Sequence, residues 1–194
     1  MPTVAGDRMW LPDLPAERLP HLLDAMNDEV HGFNSSAPLA TVSLDTKSFS
    51  TDMWRGPMWM NTNWHVALAL IARGENQTAA KLLRRTLDVV LDNYEKYGVI
   101  FEFYDAKNQR DTRTLMRKGS PMGPVRDYHW SAAITLLMLH KLHDLDDQGV
   151  RPIRAKTDDV MAPVDWKETT GVAMCGGECE CSNGWLGLRL LLRL

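Results

Sequence analysis

Two short segments hold the residue types that could do chemistry. From Met53 to Trp64 the chain reads Met-Trp-Arg-Gly-Pro-Met-Trp-Met-Asn-Thr-Asn-Trp, with three tryptophans, one arginine and two asparagines in twelve residues. Tryptophan faces stack on the C–H faces of sugar rings, while Arg and Asn bond hydroxyls in planar, directional patterns. Gly56 lets backbone approach a ligand closely, and Pro57 fixes the local turn. The same residues also fit the start of a helix whose aromatics are core.

The second segment is Val99-Ile100-Phe101-Glu102-Phe103-Tyr104-Asp105. It is short, aromatic and β-branched, which predicts a strand. In a strand, Ile100, Glu102 and Tyr104 share one face, and Val99, Phe101 and Phe103 the other. A carboxylate among apolar neighbours is partly desolvated, and its proton affinity rises unless a cation or donor compensates. Such a group is usable as a general base. The alternative is a solvent-facing glutamate on an edge strand.

The elements that must position these residues are mainly helical. Pro15-Ala16-Glu17 opens a helix, and Leu19, Leu22, Leu23, Met26 and Val30 follow helical spacing up to His31-Gly32. Residues 33–52 are rich in Ser, Thr and Asp without helical period and read as a long loop. A second helix is expected from about Asn61 to Arg73, with Gly74 as its stop. A third starts near Glu75 or Asn76 and ends at Gly98, with Ala79, Leu82, Leu83, Leu87, Val90, Leu91 and Tyr94 as its apolar stripe. The short link around Gly74 makes the two an antiparallel pair. Residues 106–128, with Pro121 and Pro124, form another long loop before a fourth helix from about Trp130 to Leu145. The expected fold class is all-α: helical hairpins joined by long loops, with one short strand or β-turn element.

In order along the chain, Trp-Arg-Gly-Pro-x-Trp-x-Asn-x-Asn, a helical hairpin, Phe-Glu-x-Tyr-Asp, and Trp-Ser-Ala-Ala opening a helix resemble the C-terminal part of the catalytic domain of glycoside hydrolase family 63. The resemblance runs from about Pro38 to about Leu142 and includes the approach Ala40-Thr41-Val42-Ser43. That family includes mannosyl-oligosaccharide glucosidases and mannosylglycerate and glucosylglycerate hydrolases, with trehalases as more distant relatives. The resemblance implies part of an (α/α)6 toroid and an inverting mechanism on an α-glucoside or α-mannoside. In that mechanism a carboxylic acid protonates the leaving oxygen and a carboxylate activates water, the two lying roughly 6.5–9.5 Å apart. By its motif position Glu102 matches the general base. Trp54, Gly56 and Trp59 match positions lining the sugar subsite, and Arg55 and Asn63 match motif positions beside them. Three positions depart from the pattern: Met53 replaces a frequent tyrosine, Ala106 follows Asp105 where proline is common, and His129 replaces a glycine before Trp130.

The family's general acid is an aspartate in a motif well upstream of Trp-Arg-Gly-Pro, and residues 1–53 offer no counterpart to it. Asp52, Asp105 and Asp127 are the nearest substitutes, with no motif behind any of them. Twelve helices of ~13 residues with ~6-residue connections need roughly 230 residues, more than this chain supplies. The expectation is therefore a glycosidase domain fragment with little or no activity alone. Its exposed inner faces favour self-association or a partner supplying the missing half. The competing readings are a non-catalytic carbohydrate-binding protein using Trp54 and Trp59, and a helical interaction protein whose aromatics are core.

Composition narrows the classes further. The chain has 194 residues, 44% hydrophobic and 24% charged, the balance of a globular domain. A net charge of −3 argues against nucleic acid as partner. No secretory signal or membrane-crossing run is visible, so no membrane partner is expected. Cys175, Cys179 and Cys181 cannot all pair with one another, which favours a reducing, cytoplasmic setting. They lack a fourth ligand nearby, since His140 and His143 are distant, so no metal and no cofactor is expected. Gly119 to Pro124 is turn-rich but lacks the Lys-Ser/Thr of a phosphate loop. The domain is placed at residues 1–149, and residues 150–194 read as a divergent tail.

Overall fold

The computed structural model describes residues 11, 13–28, 32–33 and 38–147. The tail at 150–194, with its three cysteines, lies outside the described residues. Four helices follow in order: α1 (Arg18–Asn27), α2 (Met60–Ala72), α3 (Asn76–Tyr97) and α4 (His129–Asp147). Single 3-10 turns lie at Met53–Arg55 and Thr112–Thr114.

Helix boundaries follow the local signals closely. Gly74 takes a left-handed φ of 79° and Arg73 N–H still reaches back to Ala69 and Leu70, so α2 stops there and α3 returns along it. Gly98, at φ 69°, closes α3 with its N–H on the Tyr94 carbonyl at 2.7 Å. α1 ends at Asn27, earlier than Val30, the last residue of the expected stripe. It buries only Met26, so little packing holds a longer helix in place.

α2, α3 and α4 pack against one another and carry most of the core. Val66, Ala67 and Leu70 of α2, Leu82, Leu83 and Val90 of α3, and Ile134, Met138, Leu142 and Leu145 of α4 are all buried where these helices pack. Buried polar residues within the helices close on their own turns: Thr86 Oγ1 on Leu82 O, Asn93 Nδ2 on Val89 O, and Thr135 Oγ1 on Ser131 O. The opposite side of α4 leaves Trp130, Leu136 and Leu137 exposed. No helix among the described residues is long and apolar enough to cross a membrane.

The strand expected at residues 99–105 does not form. Its sole pairing is an isolated antiparallel bridge between Tyr104 and Met58, with both N–H···O bonds at 2.9 Å. The backbone finds other partners: Phe101 N–H donates to the Tyr104 hydroxyl, and Glu102 N–H to the Val125 carbonyl. With donors spent on separate neighbours, no continuous ladder can build. The expected division into two faces fails as well, because every residue from Val99 to Asp105 is buried. Burial pushes the Tyr104 phenol well above its ordinary value.

The 106–128 loop is fastened to the end of α3. Asp111 grips Arg113 through both carboxylate oxygens, and the Arg113 guanidinium lies 4.4 Å from the Tyr97 ring centre. The Arg113 hydrogen bonds hold the Asp111 carboxyl well below the ordinary 3.8. A carboxyl depressed in the folded state adds stability above its unfolded value, and that contribution disappears as pH falls towards the folded value. Between pH 5 and 3 the wild-type melting temperature should therefore fall more than that of Asp111→Asn, by about 3 °C. Thermal melts of both proteins across that range check this.

Candidate active site

The aromatic segment is held by backbone bonds from three directions. Thr41 N–H reaches the Gly56 carbonyl at 3.3 Å, and the Thr41 hydroxyl accepts from Gly56 N–H at 3.0 Å while facing the Pro57 carbonyl at 3.2 Å. Met53 N–H donates to Met116 O and Met116 N–H to Thr51 O, at 3.3 and 3.1 Å. The Met58–Tyr104 bridge sets the next residue, Trp59, beside Phe103. The result is a three-ring stack: Trp54 on Trp59 at 3.7 Å and 11°, then Trp59 on Phe103 at 5.2 Å. Trp59 is 3% exposed and its indole N–H donates to Met53 O at 3.1 Å, whereas Trp54 is 45% exposed. Met53 takes a left-handed φ of 42°, an unusual conformation for a non-glycine, between these tethers.

Gly56 is required by space. A Cβ at that position would meet the Ser50 carbonyl oxygen at 2.1 Å and the Phe49 ring at 3.0 Å. The Ser50 oxygen cannot retreat freely, because Ser50 N–H is itself bonded to Arg55 O at 2.7 Å. Gly56→Ala should destabilise the fold by about 1–3 kcal/mol and loosen the indole stack. Urea unfolding, together with the near-ultraviolet circular dichroism of the stacked indoles, reads both effects.

Glu102 is 4% exposed and is held by a cation and a backbone amide. Its Oε2 accepts from Arg117 Nε at 2.8 Å and from the Val125 amide at 3.2 Å, and its Oε1 faces Arg117 Nη2 at 3.4 Å. Its backbone is pinned by Val125 O and by the Ser131 hydroxyl on its carbonyl at 3.3 Å, next to the start of α4. The cation and the amide offset the cost of removing the carboxylate from water. The pairing also raises the Arg117 guanidinium above its ordinary value.

The structure therefore stacks Trp54, Trp59 and Phe103, and Glu102 is the chain neighbour of the last ring, with its own side chain on Arg117 and the Val125 amide. Arg55, next to Trp54 in the chain, is exposed. Asn63 is completely buried in the first turn of α2, and its amide donates to Leu39 O and Trp59 O at 3.2 and 3.0 Å, bracing the segment. Among the substitute acids, Asp52 accepts from Gly119 N–H at 3.0 Å, and Asp105 caps its own loop through Gln109 and Arg110 N–H. Asp127 is exposed. Arg117 was not legible as a site residue by motif. The signal lay in charge: a buried carboxylate needs a cation, and residues 107–126 carry Lys107, Arg110, Arg113, Arg117, Lys118 and Arg126. No cluster of three metal-binding side chains exists among the described residues.

Comparison with known proteins gives the family. The family model of the mannosylglycerate hydrolase MGH1-like glycoside hydrolase domain matches residues 2–131. The chain belongs to this family. Among curated proteins, a probable mannosyl-oligosaccharide glucosidase of Schizosaccharomyces pombe is 30% identical over 120 residues, covering 55% of this chain and 15% of that protein. Two solved Thermus thermophilus structures are similar. An uncharacterized conserved protein is 28% identical, with a TM-score of 0.43, over 63% of this chain and 27% of that one. A family 63 mannosylglycerate hydrolase in complex with glucose is 26% identical, with a TM-score of 0.42, over 63% and 28% respectively. The chain thus spans under a third of the length of each of these relatives.

Proposed function

We propose that this MGH1-like domain carries the base side of an inverting glycosidase site acting on an α-glucoside or α-mannoside. In this reading α2, α3 and α4 are a section of an (α/α)6 toroid, and the exposed Trp130, Leu136 and Leu137 of α4 meet a further helical layer. Glu102 is the general base, Trp54 and Trp59 the sugar platform, and Gly56 and Arg55 the rim. Asn63 is fully buried and spends its Nδ2 donors on Leu39 O and Trp59 O, so in this reading it supports the platform rather than the sugar.

The observation that carries the reading is the placement of the carboxylate. Glu102 is bonded and buried one residue from Phe103, the inner ring of the stack that ends in the exposed face of Trp54. In this reading a sugar on that indole meets a carboxylate that Arg117 and the Val125 amide hold in one orientation, as water activation requires. The opposing acid comes from outside the motif region, so alkyl glycosides and trehalose should turn over little or not at all.

A substrate whose leaving group needs no proton isolates the base. Fluoride departs from an anomeric carbon as the anion, so α-D-glucosyl and α-D-mannosyl fluoride bypass the acid. Water attacks the anomeric carbon opposite the fluoride, the C–F pair leaves with fluoride, and the water proton goes to Glu102. Fluoride release above the buffer rate, with the β-anomer as first product, supports the reading. Release at the buffer rate overturns it. Saccharide binding without any release would instead favour the non-catalytic carbohydrate-binding alternative, for which the half-exposed Trp54 is the specific observation.

A further inference from the structure

The two oxygens of Glu102 are not equivalent. Oε2 takes the short Arg117 Nε bond and the Val125 amide, while Oε1 has only the long Nη2 contact at 3.4 Å. Each carboxylate oxygen has room for about two donors. By that count Oε2 is filled and Oε1 keeps acceptor capacity for one more donor.

We propose that Arg117 is a positioning residue that fixes Glu102 through Oε2 and leaves Oε1 as the oxygen that takes the proton from water. The proposal rests on the reading of Glu102 as general base. In this arrangement Arg117 touches neither the attacking water nor the sugar. Its effect is to stop the carboxylate from rotating and to keep the open lone pair of Oε1 in one direction.

The backbone that carries Arg117 is held from the aromatic segment. Arg117 N–H donates to Ser120 O at 2.8 Å and Ser120 N–H returns to Arg117 O at 3.1 Å. Between them Lys118 and Gly119 are both left-handed, at φ 53° and 74°, the geometry of a tight primed turn. Gly119 N–H then donates to Asp52 Oδ2, two residues before Trp54. Met116, preceding Arg117, exchanges backbone bonds with Thr51 and Met53. The residues just before the platform thus set the turn, the turn sets Arg117, and Arg117 sets the base.

Kinetics of the full chain on α-D-glucosyl fluoride test this with Arg117→Met and Arg117→Lys. Arg117→Met removes the grip and should lower kcat about tenfold or more with KM held within about twofold, because the sugar platform is untouched. Arg117→Lys keeps the charge but loses the two-point fork, and its kcat should fall between the two. Where Arg117→Met fails to fold, Arg117→Lys decides: lower kcat at constant KM supports the proposal, and wild-type kcat overturns it. Unchanged or raised kcat in a folded Arg117→Met also overturns it, the latter marking Arg117 as a brake on the base. If the wild-type chain releases no fluoride, the assignment of Glu102 as base fails and the positioning role fails with it. If the wild type releases fluoride and the variants match it, only the positioning role fails.

Discussion

Glu102→Gln is expected to lower fluoride release from α-D-glucosyl or α-D-mannosyl fluoride by about 10²–10⁴-fold, leaving saccharide affinity within about twofold. The amide has the shape of the carboxylate but cannot take up the water proton. Its carbonyl can still accept from Arg117 Nε and the Val125 amide, the two short bonds that Glu102 makes. Arg117 loses its anionic partner, but at 24% exposure its guanidinium can recruit water. The variant should therefore fold, and circular dichroism separates lost chemistry from lost structure. Glu102→Asp keeps the charge and withdraws it by one methylene. It should release fluoride at a rate between wild type and Gln, because distance to the attacking water governs proton transfer as strongly as basicity does. Release by Glu102→Gln at the wild-type rate would assign the chemistry to another group.

The parts of this molecule that were legible from sequence are those governed by local periodicity and stop signals. α2, α3 and α4 follow their apolar spacing, and Gly74 and Gly98 end helices where left-handed turns are needed. The 99–105 segment misled because β-branched and aromatic residues are enriched wherever a short extended piece is buried on all sides, with or without a ladder. Whether its donors meet one partner strand or several loops is decided by residues 58, 125 and 128, distant in sequence and without a pattern of their own. The site divides the same way. Trp54, Gly56, Trp59 and Glu102 stand in motifs because their local chemistry constrains them. Arg117 does not, because one of six cations in the 107–126 stretch can serve Glu102 and only the turn tied to Asp52 selects it. Asn63 was legible as a motif position but not as a brace, since nothing local reveals that Leu39 O needs a donor.

Trp59→Ala should be the most destabilising change on the proposed sugar platform, and its contrast with Trp54→Ala separates core from contact surface. Trp59 is buried, packs between Trp54 and Phe103, and spends its indole N–H on Met53 O. Truncation opens a large cavity and leaves a carbonyl without its donor, at a cost of about 3–5 kcal/mol. Trp54 lies on the outer face of the same stack, and its removal forfeits about 0.5–1.5 kcal/mol of ring pairing. Urea unfolding midpoints should therefore drop sharply for Trp59→Ala and slightly for Trp54→Ala. Calorimetry with glucose and mannose should show binding lost in both, for different reasons: the first loses the platform's support, the second the face on which the sugar lies. Trp54→Ala with wild-type affinity would remove that indole from the site. A Trp59→Ala protein as stable as wild type would mean that the packing of Trp59 with Phe103 and Leu115 holds no part of the core.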